Sequence, residues 1–225
     1  MRAACLQWLS RVVNKCLLSP SVFLDAVYFT DHMISSGSDY TDQEVVCSAL
    51  AYSLLHNNYN HDSVSDLLLR SSLTSLGEKK FHPEDFINHA TTFALFFGID
   101  HTVTEQIIKI SDHCCSTGLL TDAQGITLIT TSINLACHFA FIDSLPQDCF
   151  GFALAISFVV AERFNINTDI MLSSFHDQID LVNFINLFHH VADCSVLFEE
   201  PVVVDVEKGK SNSPVSLHKY LCKVE

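Results

Sequence analysis

Met1-Arg2-Ala3-Ala4-Cys5-Leu6-Gln7-Trp8-Leu9, followed by Leu24-Asp25-Ala26-Val27-Tyr28-Phe29-Thr30-Asp31-His32-Met33-Ile34-Ser35, is the stretch on which the fold turns. In the first segment Cys5, Trp8 and Val12, with Leu6, Leu9 and Val13, recur at steps of three and four. That period predicts an amphipathic helix from Met1 to Cys16. Ser19-Pro20 pairs a residue suited to the N-cap with one suited to the first helical position, so a second helix is expected from Pro20 to Ser35. Gly37 ends it.

Outward from there, Thr41-Asp42-Gln43-Glu44 has the form of a capping box and starts a third helix. From Val45 to Leu55 that helix is apolar on all sides and rich in small residues (Ser48, Ala49, Ala51, Ser53), which fits a helix enclosed by close neighbours. Asp62 or Ser63 is expected to cap a fourth helix through Val64, Leu67, Leu68 and Leu73. His82-Pro83-Glu84-Asp85 opens a fifth, with Phe86, Ile87, Ala90, Phe93, Ala94 and Phe97 facing inward and Gly98 at its end. A second set follows: Val103 to Cys115, Asp122 to Phe141, Gln147 to Phe164 and Asp169 to Val191, with strand propensity at Thr127 and Ile129 to Thr131 as a competing signal. The all-apolar helix with Phe152, Leu154, Ile156, Phe158 and Val159 mirrors Val45 to Leu55, which points to two bundles of related architecture. Beyond Phe198 the composition changes to Glu199-Glu200-Pro201, a valine run and Lys208-Gly209-Lys210-Ser211-Asn212-Ser213-Pro214, which reads as a flexible tail, with Val202 to Val204 as an extended segment for a partner in the alternative.

Composition supports a folded, helix-rich chain: of 225 residues 48% are hydrophobic and 17% charged, with 7 Gly and 5 Pro. A net charge of -14, with no basic cluster longer than Lys79-Lys80, argues against direct nucleic-acid binding, because phosphate neutralisation needs grouped positive charge. The nine cysteines include no Cys-x-x-Cys, and the chain opens on a helix rather than a secretory segment, so reduced, mostly buried thiols are expected. No apolar run reaches the roughly 20 residues of a membrane span; the longest candidate, Phe150 to Ala161, is interrupted by Gly151 and Ser157.

Met1, Arg2, Ala3, Trp8 and Leu9, with Ala26, Val27, Asp31 and Ser35, resemble the first two helices of a cyclin box. The enclosed Val45 to Leu55 helix resembles that fold's central helix, and Phe97-Gly98-Ile99-Asp100 resembles the segment linking two boxes. The resemblance implies an all-α protein of two tandem cyclin-box-like five-helix bundles with a flexible C-terminal tail, residues 1–98, 99–197 and 198–225. It implies a non-enzymatic subunit that binds a cyclin-dependent kinase and needs neither cofactor nor metal.

Within that resemblance Arg2 and Asp31 correspond to the family's buried ion pair between helices one and two; the alternative is two separate exposed charges. Met1, Cys5 and Trp8 correspond to the hydrophobic patch by which some cyclins dock short peptides, although Cys5 replaces a leucine, and Trp8 can equally fill the bundle core. The lysine and glutamate with which activating cyclins hold the kinase fall on Ser53, or Leu55 with a differently placed gap, and near Ala90. With both charges gone, the resemblance leaves an apolar kinase interface, for which Tyr52, Phe86, His89 and Phe93 are the candidates beside Ser53 and Ala90. Cys16-Leu17, Ser21-Val22, Ala26-Val27, the Val45, Cys47, Leu50, Ala51 spacing and Asp148 to Ala161 are similar to the cyclin N-terminal-domain-containing proteins of meiotic crossover designation. That implies a nuclear protein, on meiotic chromosomes and also cytoplasmic, with meiotic recombination proteins as further partners and no contact with membrane. A viral or transcription-type cyclin is the alternative.

An enzymatic reading rests on the twelve histidines. His61-Asp62, Asp112-His113 and His176-Asp177 resemble the doublet of helical metal-dependent phosphohydrolases, with His32, His61, Asp62 and Asp112 in that family's order and His189, His190 and Cys194 as other ligands. No phosphate loop, Gly-x-Ser-x-Gly or His-Glu-x-x-His occurs. Ser213-Pro214 is a minimal site for a proline-directed kinase, and Lys219-Tyr220-Leu221 has the form of a peptide that would fold back on the Trp8 patch.

Overall fold

A computed structural model of the chain describes residues 1–37, 39–72 and 82–195. The described residues are all-α. In order they form α1 (Arg2–Lys15), α2 (Pro20–Ser35), α3 (Asp42–His56), α4 (His61–Ser72), α5 (Pro83–Phe97), α6 (Val103–Ser116), α7 (Asp122–Ile142), α8 (Cys149–Arg163), α9 (Thr168–Phe175), a 3-10 turn (His176–Gln178) and α10 (Leu181–Ser195). Leu73, Ser213, the Val202 to Val204 run, Lys219-Tyr220-Leu221 and the expected tail lie outside the described residues.

Local chemistry sets most of these ends. Thr41 Oγ1 accepts from the Glu44 amide while the Glu44 carboxylate accepts from the Thr41 amide, so two donors that the helix leaves orphaned are satisfied reciprocally. Thr121 and Gln124 repeat the device at α7, and Gly98, at φ +64°, closes α5 in the left-handed conformation that glycine adopts without a Cβ clash. Three expectations need correction. Ser19 occupies the N-cap of α2, but its hydroxyl turns to Ser21 Oγ instead of the helix. Asn60, rather than Asp62 or Ser63, caps α4, accepting from the Ser63 amide at 2.8 Å. The single helix expected from Asp169 to Val191 is two helices and a turn: Asp180 accepts from the Val182 and Asn183 amides, and this cap starts α10 afresh after an extended Ile179. The strand-like threonines of α7 remain helical, Thr127 and Thr130 returning their hydroxyls to carbonyls four residues back.

Every residue from Val45 to Leu54 of α3 and from Gly151 to Ala161 of α8 is buried. Around α3 pack α1, α2, α4 and α5; around α8 pack α6, α7, α9 and α10. The two groups meet where α2 also packs against α6 and α7. At that seam the Asp25 carboxyl, 1% exposed, accepts from Asn57 Nδ2 at 3.0 Å and from the Thr104 amide in the first turn of α6 at 3.3 Å. Burial pushes its pKa up to about 6 against the opposing pull of these bonds.

At 21 residues, with a mean hydropathy of 1.5 over its most apolar window, α7 is long and apolar enough to cross a membrane, which corrects the expectation that no segment is. Here it packs against α2, α6, α8 and α10, burying Leu128, Leu135, Phe139 and Ala140 while Ile126 stays exposed.

Candidate functional site

Between the C-terminal ends of α3 and α5 the surface opens into a groove of about 340 Å³. Tyr52 and Ala90 form its floor, Leu55, His56, Thr91, Ala94 and Leu95 its walls, and Ile99 and Asp100 its end. The floor is rigid because Tyr52 is fixed at both ends: its ring stacks on Phe29 at 4.4 Å, and its hydroxyl donates to the Ile99 carbonyl at 3.4 Å. Desolvation raises the Tyr52 pKa well above the ordinary phenol range, so the ring offers the groove a neutral apolar face. His56 lies against that ring, centroids 4.3 Å apart. Its partial burial lowers its pKa, with Glu105 opposing and His101 reinforcing the shift, which favours the neutral imidazole.

At the groove's edge, Leu95 is 77% and Phe96 81% exposed, and Phe97 is half exposed with its ring tilted against Phe93, centroids 4.3 Å apart. Three consecutive apolar residues span far more of a helix than one inward stripe can cover, so packing α5 on α3 through Ile87, Ala90 and Phe93 leaves this run outside. Contiguous apolar surface of this kind marks an interaction site more often than a scattered exposed side chain does.

The residues expected from the sequence to meet a kinase are largely core. Ser53 is fully buried and donates to the Val22 carbonyl at 2.6 Å, tying α3 to α2. Phe93 is buried between Phe29 and Phe97. Neither can serve as surface, because the tight packing that small residues allow around α3 draws both inside. Tyr52 and Ala90 are buried too, yet they floor the groove. His89 is half-buried, its Nδ1 3.0 Å from Ser48 Oγ and its ring against Tyr40, and Phe86 packs on the core from the far end of α5. Leu55, the other placement of the family's lysine, does line the groove. Sequence reading missed His56, Leu95, Phe96 and Asp100; the Leu95-Phe96-Phe97 run was the available signal.

Arg2 and Asp31 meet. Arg2 Nε donates to Asp31 Oδ1 at 2.6 Å and Nη2 to Oδ2 at 3.0 Å, with the aspartate nearly buried. The docking patch is not assembled as expected: Met1 is exposed, Trp8 packs partly buried on the core, and Cys5, 1% exposed, points into it, its thiol pushed up to about 11 by burial. A cysteine facing the core between α1 and its neighbours cannot contact a docked peptide.

The phosphohydrolase ligand set is not brought together either. His32 turns its Nδ1 to the Tyr28 carbonyl, His61 lies 3.4 Å from Glu84, and Asp112 sits on α6. His190 reaches Asp143 at 3.0 Å, but among the described residues no three His, Cys, Asp or Glu side chains group as metal ligands. No protein-family model matches the chain, and no curated protein matches it at a significant level.

Proposed function

We propose that this chain is a cyclin-like regulatory subunit that binds a cyclin-dependent kinase through the groove between α3 and α5, without chemistry of its own. The bidentate Arg2–Asp31 pair carries the reading, since it joins the two helices whose residues carry the cyclin-box resemblance. The order of the helices supports it: α1 to α5 are centred on α3, and α6 to α10 on α8, as expected of two tandem boxes over residues 1–98 and 99–197. The process proposed is crossover designation in meiotic recombination, in the nucleus, with recombination proteins as further partners. DNA contact would be indirect, given the net charge of -14.

The experiment is affinity purification of the tagged full chain from meiotic and proliferating cells, followed by mass spectrometry and a kinase assay on the eluate. The expected result is a cyclin-dependent kinase that is lost from the Leu95→Glu eluate, with recombination factors recovered only from meiotic cells. Because Leu95 is exposed, this variant keeps the fold. An eluate without kinase from either tissue overturns the reading.

A further inference from the structure

Ser19 stands at the N-cap of α2 without capping it: its hydroxyl bonds Ser21 Oγ, and the helix amides take nothing from it. It is exposed, and its backbone is extended at φ -69° and ψ 154°. Leu17, 89% exposed and in the left-handed region at φ 54°, turns the chain just before it. Pro20 follows, with no N–H to satisfy and a φ that suits the first helical position. The dipeptide is therefore a minimal target of a proline-directed kinase, and it lies on the folded surface.

Behind Ser19 runs a chain of hydrogen bonds whose direction is fixed. Ser21 has one hydroxyl proton and gives it to Asn57 Oδ1 at 2.8 Å, so the Ser19 hydroxyl is the donor to Ser21. Asn57, the C-cap of α3, donates from Nδ2 to the buried Asp25 carboxyl at 3.0 Å, and Asp25 accepts from the Thr104 amide in the first turn of α6 at 3.3 Å. An exposed serine is thus joined, through Ser21 and Asn57, to the seam where the helices around α3 meet those around α8.

We propose that Ser19 is a phosphorylation site for a proline-directed kinase, and that its phosphate is read at the seam through Ser21, Asn57 and Asp25. In the transfer Ser19 Oγ forms a bond to the γ-phosphorus of Mg-ATP and the bond from that phosphorus to the β,γ-bridging oxygen breaks. ADP leaves with the electron pair, and the hydroxyl proton passes to the kinase's catalytic carboxylate. The product puts a charge of about -1.5 to -2 and three acceptor oxygens where a donor stood. Ser21 then has acceptors on both sides, and a charged oxygen outcompetes a neutral amide oxygen for its single proton. Asn57 Oδ1 loses its donor. The side chain is left with its Nδ2 bonds to Asp25 and to the Ser53 carbonyl, and the carboxyl that positions the Thr104 amide is held less firmly. The groove takes no part in this step, so the site stands apart from the kinase-binding reading.

The test treats the folded full chain with Mg-ATP and, in parallel, two purified active kinases, one of the cyclin-dependent and one of the mitogen-activated class. Peptide mass spectrometry then locates the phosphate. The expected result is phosphate on Ser19 from at least one kinase, and none at this position in Ser19→Ala. Amide hydrogen exchange over the first turn of α6 is expected to speed up about fivefold on phosphorylation, the scale of one weakened hydrogen bond, while exchange in α10 stays as it was. In Ser21→Ala, where the relay is cut, Ser19 still takes phosphate and exchange in α6 no longer responds to it. Wild type left unmodified at Ser19 by both kinases, whether or not Ser213 is labelled, overturns the site. Phosphate on Ser19 that leaves α6 exchange unchanged, or that speeds it equally in Ser21→Ala, overturns the relay.

Discussion

Arg2 holds Asp31 in a two-pronged grip and, with the same Nη2, also donates to the carbonyls of Ala140 at 2.9 Å and Asp143 at 2.7 Å. Asp31 in turn accepts from the Leu145 amide at 2.8 Å. The pair therefore does more than lock α1 to α2. It terminates α7 and fastens the start of the following loop to the first five helices. Removing the arginine leaves a nearly buried carboxylate without its cation, held only by the Leu145 amide, and takes a donor from the Ala140 and Asp143 carbonyls. Arg2→Ala is expected to lower the unfolding free energy by about 3 kcal/mol, and Arg2→Lys, which cannot fork, by more than half as much. Denaturant titration measures both, and a change below 1 kcal/mol for Arg2→Ala would sink this account.

Asp25 predicts a pH dependence with a definite sign. Its folded pKa of about 6 lies above the ordinary 3.8, so the fold binds this proton more tightly than the unfolded chain does. The stabilisation is full below about pH 4 and is lost as pH rises through about 6, an effect of roughly 3 kcal/mol for a shift of this size. Glu44 and Asp143, whose pKa values are lowered, act in the opposite direction, so the informative quantity is a difference between variants. Asp25→Asn removes the titration. The stability of wild type relative to Asp25→Asn is expected to fall between about pH 4 and 6 and to level off above that, and a flat difference across the range would show that Asp25 does not titrate there.

The buried Ser53 and the groove-wall Leu55 are separable by stability. Ser53→Lys forces a cation into a site with no room beside the Val22 carbonyl and is expected to abolish cooperative unfolding. Leu55→Lys, at the half-buried groove wall, is expected to cost about 1 kcal/mol or less, since the chain of the lysine can lie along the apolar wall with its head in water. Thermal melts of the two variants decide it.

The Thr41 capping box offers a simpler check on α3. Thr41→Ala deletes the hydroxyl that accepts from the Glu44 amide and donates to its carboxylate, while the bond from the backbone amide of residue 41 to Glu44 remains, with an expected loss of about 1 kcal/mol. The same change should leave kinase recovery intact, because the cap lies at the opposite end of α3 from the groove. Parallel unfolding and pull-down measurements read both.

Helix ends were legible in the sequence where residue type alone marks them, as with the capping pattern of Thr41 and Glu44, the first-turn proline Pro83 and the terminal glycine Gly98, and so was the enclosure of α3 and α8, because a helix apolar on every side has to be surrounded. The break before α10 was not legible: apolar periodicity continues across Ile179 and Leu181, and the Asp180 cap competes with helix only through its local geometry. The candidate interface residues read from the sequence fall largely on buried positions for a related reason. The helical period places Phe93 and Leu95 on different faces of α5, but only the position of α3 decides which face is covered.

The sequence by itself determined the all-helical class and most helix boundaries, since both follow from interactions between residues a few positions apart. Tertiary structure alone decided that Asp25 lies dry at a seam, that Arg2 reaches carbonyls 138 and 141 residues away, and that Leu55, Leu95 and Asp100 share one groove. Burial and convergence depend on which helix faces meet, and no local spacing encodes that choice.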